Sequence, residues 1–295
     1  MVNREFIASS CICCGSGSLV KSPAVLMPFV AHRVFGHAPV EITAEWGLRD
    51  LRSGMAYTLC NSLQCQDCGV LFLDYRFTDQ QIAALYYNYR DNAYNALRIS
   101  YEPGYANTVR YYKQRAAYLD QVEAWLEQYL PEQPAVLDWG GDTGINSLFK
   151  KRSSTLHIHD ISGVEVVSGQ QSIIVEQMDR YAYDLVTCSQ VLEHTPYPIE
   201  LVRQMLPTLR PHTLLYLEVP HEALMREHPN SLNLAKLKRH WHEHVNFFTE
   251  HALRSILAGL GLELVDKLYL PVDLGWTKGE VLGVLAKLAG DRAIE

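Results

Sequence analysis

The 295-residue sequence lacks any apolar run of about 18 residues or more, which excludes a transmembrane helix. It lacks an excess of positive charge: 26 Lys and Arg stand against 33 Asp and Glu, a formal net charge of -7. A protein that coats nucleic acid or an acidic membrane through bulk charge is thereby excluded. The opening Met1-Val2-Asn3-Arg4-Glu5 is followed by polar and cysteine-containing sequence, without the apolar stretch of a secretory signal. The expected location is therefore the cytoplasm. No internal repeat and no low-complexity segment is present. In such a chain the seven cysteines do not read as a disulfide framework.

What is present is enough apolar sequence, 48% of residues, to bury a sizeable core, and a length that suggests about two domains. The first 75 residues are cysteine-rich with short apolar runs. Residues 78–130 read as helical. Tyr112, Ala116, Leu119, Val122, Leu126 and Leu130 recur at steps of three and four, on one helix face. Pro131 and Pro134 end that stretch. From Ala135 on, strands alternate with helices. Ala135–Trp139, Thr155–His159, Ser172–Val175, Tyr183–Ser189, Thr213–Val219, Glu263–Leu270 and Glu280–Leu285 are the expected strands. Ile199–Leu209 and Glu250–Leu260 are expected helices. The alternation predicts a mostly parallel sheet covered on both faces.

Six of the seven cysteines lie in the first 68 residues. Cys11-Ile12-Cys13-Cys14-Gly15 and Cys65-Gln66-Asp67-Cys68-Gly69 each hold a pair spaced by two residues and followed by glycine. Such a knuckle turns two sulfurs toward one ion, and the glycine permits positive φ. Two knuckles supply four thiolates, so Cys11, Cys14, Cys65 and Cys68 are the expected ligands of one zinc. Buried free thiols or a redox pair are the alternative. Cys60 reads as a core residue.

Val136-Leu137-Asp138-Trp139-Gly140-Gly141-Asp142-Thr143-Gly144 follows an expected strand and is predicted to open a helix. Glycines there allow a tight turn and close approach of backbone to a ligand. Asp160 ends the next strand, where a carboxylate can accept hydrogen bonds from ribose hydroxyls.

Asp138–Gly144 resembles the first motif of class I S-adenosylmethionine-dependent methyltransferases. Tyr183-Asp184-Leu185-Val186-Thr187-Cys188-Ser189-Gln190-Val191-Leu192-Glu193-His194 resembles their fourth-strand motif. The helix Ile199–Leu209 with Arg210-Pro211-His212-Thr213-Leu214-Leu215 resembles the turn and fifth strand that follow. The resemblance implies an α/β, Rossmann-like, seven-stranded core whose last strand runs antiparallel. It implies that Asp138, Gly140, Gly141 and Gly144 shape the amino-acid end of S-adenosylmethionine. Asp160 would bind the ribose, Ile161 would lie beside the adenine with Gln177 and Met178, and Ser189 and Gln190 would flank the methionine part. Asp142 stands where the family has a glycine, so its side chain must point away from the cofactor.

His240-Trp241-His242-Glu243-His244 alternates three histidines, which would share one side of an extended segment. A second metal site, structural histidines and catalysis by a base near neutral pH are all open from the residues alone. With the knuckles and the core, this stretch resembles the zinc-containing sugar C-methyltransferases. There a Tyr-His-Glu-His segment supplies active-site groups. The resemblance implies His244 as general base and Glu243 as its orienting group or a ligand of a substrate hydroxyl. Trp241 replaces the tyrosine and removes one hydroxyl. The tyrosines of residues 86–105 read first as packing groups; as a lid, Tyr89 or Tyr94 could close over the cofactor, and Arg90 or Arg98 could pair with a substrate phosphate.

The sequence thus predicts a zinc-binding domain at 1–75, a helical connector or lid at 76–132 and a methyltransferase domain at 133–295. The expected enzyme methylates a small molecule, a nucleotide-linked or carrier-linked sugar, with S-adenosylmethionine as cofactor and structural zinc. No nucleic-acid or membrane partner is expected. Methylation of oxygen, or a non-catalytic zinc-ribbon binding protein, are the alternatives.

Overall fold

The structure, a computed structural model, describes residues 5–47, 52–109, 114–273, 275 and 278–290. Tyr112, placed by its spacing on the apolar helix face, lies outside the described residues. The rest of that face is helical only in part, since Ala116 lies before the helix and Leu130 after it. Leu119, Val122 and Leu126 of the helix Leu119–Leu126 are buried, with Ala116 and Leu130 packed against the same cluster.

The larger sheet has seven strands. Its spatial order is Leu262–Asp273, Lys278–Leu288, Leu214–Pro220, Leu185–Ser189, Ala135–Trp139, Thr155–His159 and Gln171–Ser172. The last five of these are mutually parallel. Lys278–Leu288 runs antiparallel between Leu214–Pro220 and Leu262–Asp273, as the motifs implied. The central strands are continuous buried runs, the pattern of a sheet covered on both faces. The chain reverses direction across the sheet between Ala135–Trp139 and its neighbour Leu185–Ser189. A crevice opens there at the carboxyl ends of the strands.

Two local expectations fail. No helix follows the glycine turn; residues 145–152 form successive turns. Asn146 and Ser147 commit their side chains to the Ala116 backbone N–H and to Asp138, and Phe149 has φ of 56°. Such short polar side chains offer the backbone alternatives to a helix. The expected strand Ser172–Val175 is reduced to Gln171–Ser172, and Val175–Met178 turns helical. It is the sheet edge, where short strands limit unwanted pairing.

A second sheet has five strands, in the order His240–Trp241, Leu19–Leu26, Leu59–Cys65, Leu71–Leu73 and Asn246–Phe247. Its middle three come from the cysteine-rich segment. Its two edges come from either side of His242-Glu243-His244. Val25 and Leu26 pair with His240 and Trp241, while Asn246 pairs with Phe72. Residues 242–245 therefore span the end of this sheet. Trp241 is fully buried and donates its indole N–H to Ser62 Oγ at 2.8 Å. The helices Asp79–Tyr86 and Asn92–Tyr101 add Leu85 and Tyr94 to the same apolar cluster as Phe29, Leu71 and Trp241.

Candidate active site

The two knuckles meet. Cys11 Sγ lies 3.5 Å from Cys68 Sγ, and Cys14 Sγ lies 3.5 Å from Cys65 Sγ. All four sulfurs fall within 4.8 Å of one another. Sulfurs about 2.3 Å from a tetrahedral zinc stand roughly 3.8 Å apart, so the donor set fits that ion. Backbone N–H groups of Cys13 and Cys14 face Cys11 Sγ at 3.4 and 3.5 Å, and that of Cys68 faces Cys65 Sγ at 3.5 Å. Cys60 is buried in the neighbouring core, apart from this group.

A cavity of about 1810 Å³ opens at the carboxyl ends of the strands. Single ligands typically occupy roughly 300–1,000 Å³, so it holds room for two reactants. Gly140, Asp160, Ile161 and Gln190 line it. Gly140 has φ of 81°, and a Cβ there would lie 2.5 Å from Val191 Cγ2. At Gly144 (φ 77°) a Cβ would lie 1.7 Å from Gln170 Oε1. Both positions need the backbone freedom and the empty space that glycine alone supplies. Asp160 accepts the Asp142 N–H at 2.8 Å, which ties the turn to the next strand. Ile161 is 76% exposed, an apolar surface with no protein cover.

The remaining cofactor candidates lie off the cavity wall. Asp138 is buried beneath the turn and accepts bonds from Ser147 Oγ at 2.5 Å and Thr187 Oγ1 at 2.9 Å. Burial raises its pKa above the ordinary carboxylate range. Gly141, Gly144 and Ser189 also sit back from the cavity surface. Gln177 and Met178 do not reach it: Met178 is buried in the main core, and Gln177 is exposed on the short edge helix. Shortening of the third strand carries both away.

Asp142 adopts φ of 52° and directs its carboxylate at Arg90 Nη1, 2.6 Å away. Its side chain thus leaves the glycine cradle for the helical segment. Arg98 places Nη1 2.5 Å from Glu243 Oε2 and Nε 3.2 Å from Glu102 Oε2. Neither arginine is spare for a phosphate; each has an acidic partner in the protein. Tyr94 is buried, with its hydroxyl donating to Glu243 Oε1 at 2.8 Å, and so does not close over the cavity.

Glu243 therefore does not orient the His244 ring. It is held by Arg98 and Tyr94. The orienting group is Glu222, whose Oε1 lies 2.7 Å from His244 Nδ1. A carboxylate only accepts, so Nδ1 carries the proton and Nε2 is left as the basic nitrogen. Burial works against charge on this ring. The Glu222 hydrogen bond, with the Glu193, Glu222 and Glu243 charges, outweighs it and raises the pKa above the ordinary histidine value. The three histidines have different settings: His240 is exposed and meets the His242 ring edge-on at 5.4 Å, His242 Nδ1 meets Glu102 at 3.1 Å, and both His242 and His244 line the cavity.

Two short segments are stitched together here. The Val245 N–H donates to the Glu193 carbonyl at 2.7 Å, and Asn246 Nδ2 donates to the Leu192 and Thr195 carbonyls. Glu193, His194 and His244 thereby converge, with one donor atom of each within 4.8 Å of the others. His194 Nδ1 meets Tyr86 Oη at 2.8 Å, and burial, then His244, hold its pKa well below the ordinary range. Beneath them the buried Glu218 accepts from Tyr118 (2.9 Å), Tyr216 (2.7 Å) and Gln190 Nε2 (3.0 Å), fixing Gln190 at φ of 58°. Glu222 and Glu218 were missed by sequence reasoning. Their signal was position: both stand at the carboxyl end of the strand Leu214–Pro220, where α/β sheets carry their sites.

The methyltransferase-domain family profile matches residues 110–267, more than half of the chain. The chain belongs to the methyltransferase-domain family. No curated protein matches this methyltransferase. Among solved structures it is similar to the 1,6-didemethyltoxoflavin-N1-methyltransferase of Burkholderia thailandensis, with bound 1,6-didemethyltoxoflavin and S-adenosylhomocysteine. That likeness has 17% identity, covers 76% of this chain and 96% of that one, and has a TM-score of 0.50. A SAM-dependent methyltransferase from Methanosarcina mazei matches at 17% identity over 56% of this chain and 97% of that one, TM-score 0.41. The magnesium protoporphyrin IX methyltransferase of Synechocystis, with bound SAM, matches at 18% identity over 57% and 77%, TM-score 0.35. At these identities the likeness is one of fold. The methyltransferase is an S-adenosylmethionine-dependent enzyme. No helix among its described residues is long and apolar enough to cross a membrane.

Proposed function

We propose that this enzyme methylates a carbon next to a ketone in a small molecule, a nucleotide-linked or carrier-linked sugar, with His244 as the general base. When bound, S-adenosylmethionine supplies an electrophilic sulfonium methyl. Gly140 would admit its amino-acid end, Asp160 would accept from its ribose, Ile161 would cover its adenine and Gln190 would flank the methionine part. Cys11, Cys14, Cys65 and Cys68 would hold one zinc, and four thiolates leave no open position, so its role is structural.

One observation carries the choice of base: the 2.7 Å contact between Glu222 and His244 Nδ1, on a ring that faces the cavity. A histidine held at one nitrogen by a carboxylate presents the other as a proton acceptor, worth typically about 10²–10⁴ in rate. The Glu243–Arg98 pair fixes the backbone on which that ring is mounted.

The test is solvent deuterium exchange at the acceptor carbon of a nucleoside-diphosphate-linked ketosugar, without S-adenosylmethionine. Wild type should exchange, and His244→Gln should lose about 10²-fold or more while keeping its melting temperature. Exchange that survives in the glutamine variant defeats the assignment of the base. No exchange in either protein makes oxygen methylation the better reading.

A further inference from the structure

Glu193 has no task in the reading above, and its setting is unusual. It sits on the single 3-10 turn Leu192–His194 and is 1% exposed. Neither carboxylate oxygen has a hydrogen-bond partner among the described residues. The nearest basic nitrogen, His194 Nε2, is 3.7 Å from Oε1, beyond hydrogen-bond length. Buried carboxylates normally collect donors, because an ionised one without them is strongly penalised. The groups facing it are His194 on its own turn, His244 on the segment stitched to it, Cys188 of the strand before it, Glu218 in and Glu222 just past the strand Leu214–Pro220, and Tyr86 and Tyr118 from the segment before the core. None supplies a hydrogen bond. Burial pushes its pKa up to about 7, with His244 and the residue's own nearby backbone N–H opposing and Glu222 and Glu218 adding. A carboxyl in this place is therefore an O–H donor without an acceptor, beside the cavity and beside the base.

We infer that Glu193, in its protonated form, donates its O–H to the carbonyl oxygen of the acceptor ketone while His244 removes a proton from the neighbouring carbon. This deepens the carbon-methylation reading and rests on it. The geometry suits one substrate class. In a ketone, the acidic carbon and the oxygen flank the same carbonyl carbon, and the His244 and Glu193 donor atoms lie within 4.8 Å of each other. When His244 Nε2 takes the proton, the C–H pair becomes the carbon–carbon π bond, and the carbonyl π pair moves onto oxygen. The Glu193 O–H meets that developing charge. An oxygen or nitrogen acceptor has no such second atom, so Glu193 selects ketones with an adjacent C–H.

The experiment is the same deuterium exchange without S-adenosylmethionine, with the nucleoside-diphosphate-linked ketosugar as probe, on Glu193→Met and Glu193→Gln. Methionine keeps the volume and removes the donor; exchange should fall about 10²-fold or more, with a melting temperature equal to or above wild type. Glutamine retains an N–H and should fall less. Infrared difference spectra across neutral pH should show the C=O band of a protonated carboxyl in wild type and its loss in both variants. Unchanged exchange in Glu193→Met, with exchange still lost in His244→Gln, overturns the role of Glu193 and leaves the base intact. No exchange in wild type overturns both. A second divalent ion per chain, kept by wild type and lost in Glu193→Met, also overturns it and makes Glu193, His194 and His244 a metal site.

Discussion

Replacing Arg98 with methionine measures what Glu243 does. Arg98 is 8% exposed and Glu243 is 7% exposed, with Nη1 and Oε2 2.5 Å apart. The guanidinium also lies 3.8 Å over the Tyr105 ring and close to Glu102. The substitution keeps the stem packing and removes the charge. Among the described residues, Glu243 then keeps the Tyr94 hydroxyl but no paired cation, and Glu102 keeps His242 as its ionic partner. Breaking a buried pair from one side costs about 3–5 kcal/mol, and the lost ring contact adds up to about 1 kcal/mol. At roughly 2–4 °C per kcal/mol for a chain of this size, the melting temperature should fall by about 6–24 °C. The double variant Arg98→Met with Glu243→Met should recover much of that, because no charge is then left buried alone. Thermal melts of the four proteins give the coupling directly. A melting temperature for Arg98→Met within about 1 °C of wild type refutes the reasoning. So does a Glu243→Gln protein that melts normally and has lost activity, the signature of a group that orients the imidazole.

Three further outcomes follow from the site. Purified protein should carry about one zinc per chain, and Cys65→Ser should lose it with a large drop in stability; a chain that folds unchanged in strong chelator refutes the metal. Asp160→Ala should weaken S-adenosylmethionine binding by roughly 1.5–3 kcal/mol in calorimetry, since the carboxylate ties the glycine turn and is the proposed acceptor for the ribose; equal affinity means the ribose lies elsewhere. Glu193 protonates more readily folded than unfolded, so its ionisation costs stability as pH rises from its ordinary value of 4.5 through about 7. Urea titrations should show that Glu193→Gln escapes a loss of up to about 3 kcal/mol across that window, and parallel pH profiles for the two proteins refute the buried acid.

Much of the core was legible because its signals are local. Ala135–Trp139 and Leu185–Ser189 are short, mostly apolar runs bounded by turn residues, and the knuckles declare themselves by a spacing of two. Gly140 and Gly144 mark a turn that only glycine can make. The five-stranded sheet was not legible. His240–Trp241 and Asn246–Phe247 are two residues long, too short for any period, and their partners lie in the opposite half of the chain. The site was half legible for the same reason. His244 stood out by composition, but its partner is Glu222 and not the adjacent Glu243, because the chain turns between successive side chains. Arg90 looked free because Asp142, which it meets, is distant in sequence; Arg98 has one such distant partner, Glu243, and one only four residues on, Glu102.

The split origin of the smaller sheet sets an order of events during synthesis. Both cysteine pairs have left the ribosome once Cys68 has, and the three strands between and beside them can pair at once. Their outer edges stay bare until the chain has grown to Phe247. One of those edges is Leu71–Leu73, three apolar residues that end fully buried. An unpaired apolar edge is a site for wrong association in a growing chain. Metal on the four thiolates would hold the early strands in register through that wait. The second knuckle also anchors the close of the process: Thr249 Oγ1 donates to the Cys68 carbonyl at 2.6 Å while accepting the Ala252 N–H that starts the next helix. Completion of this sheet brings His244 to the cavity, so the growing chain places that histidine only when its earlier-made strands receive their last partner.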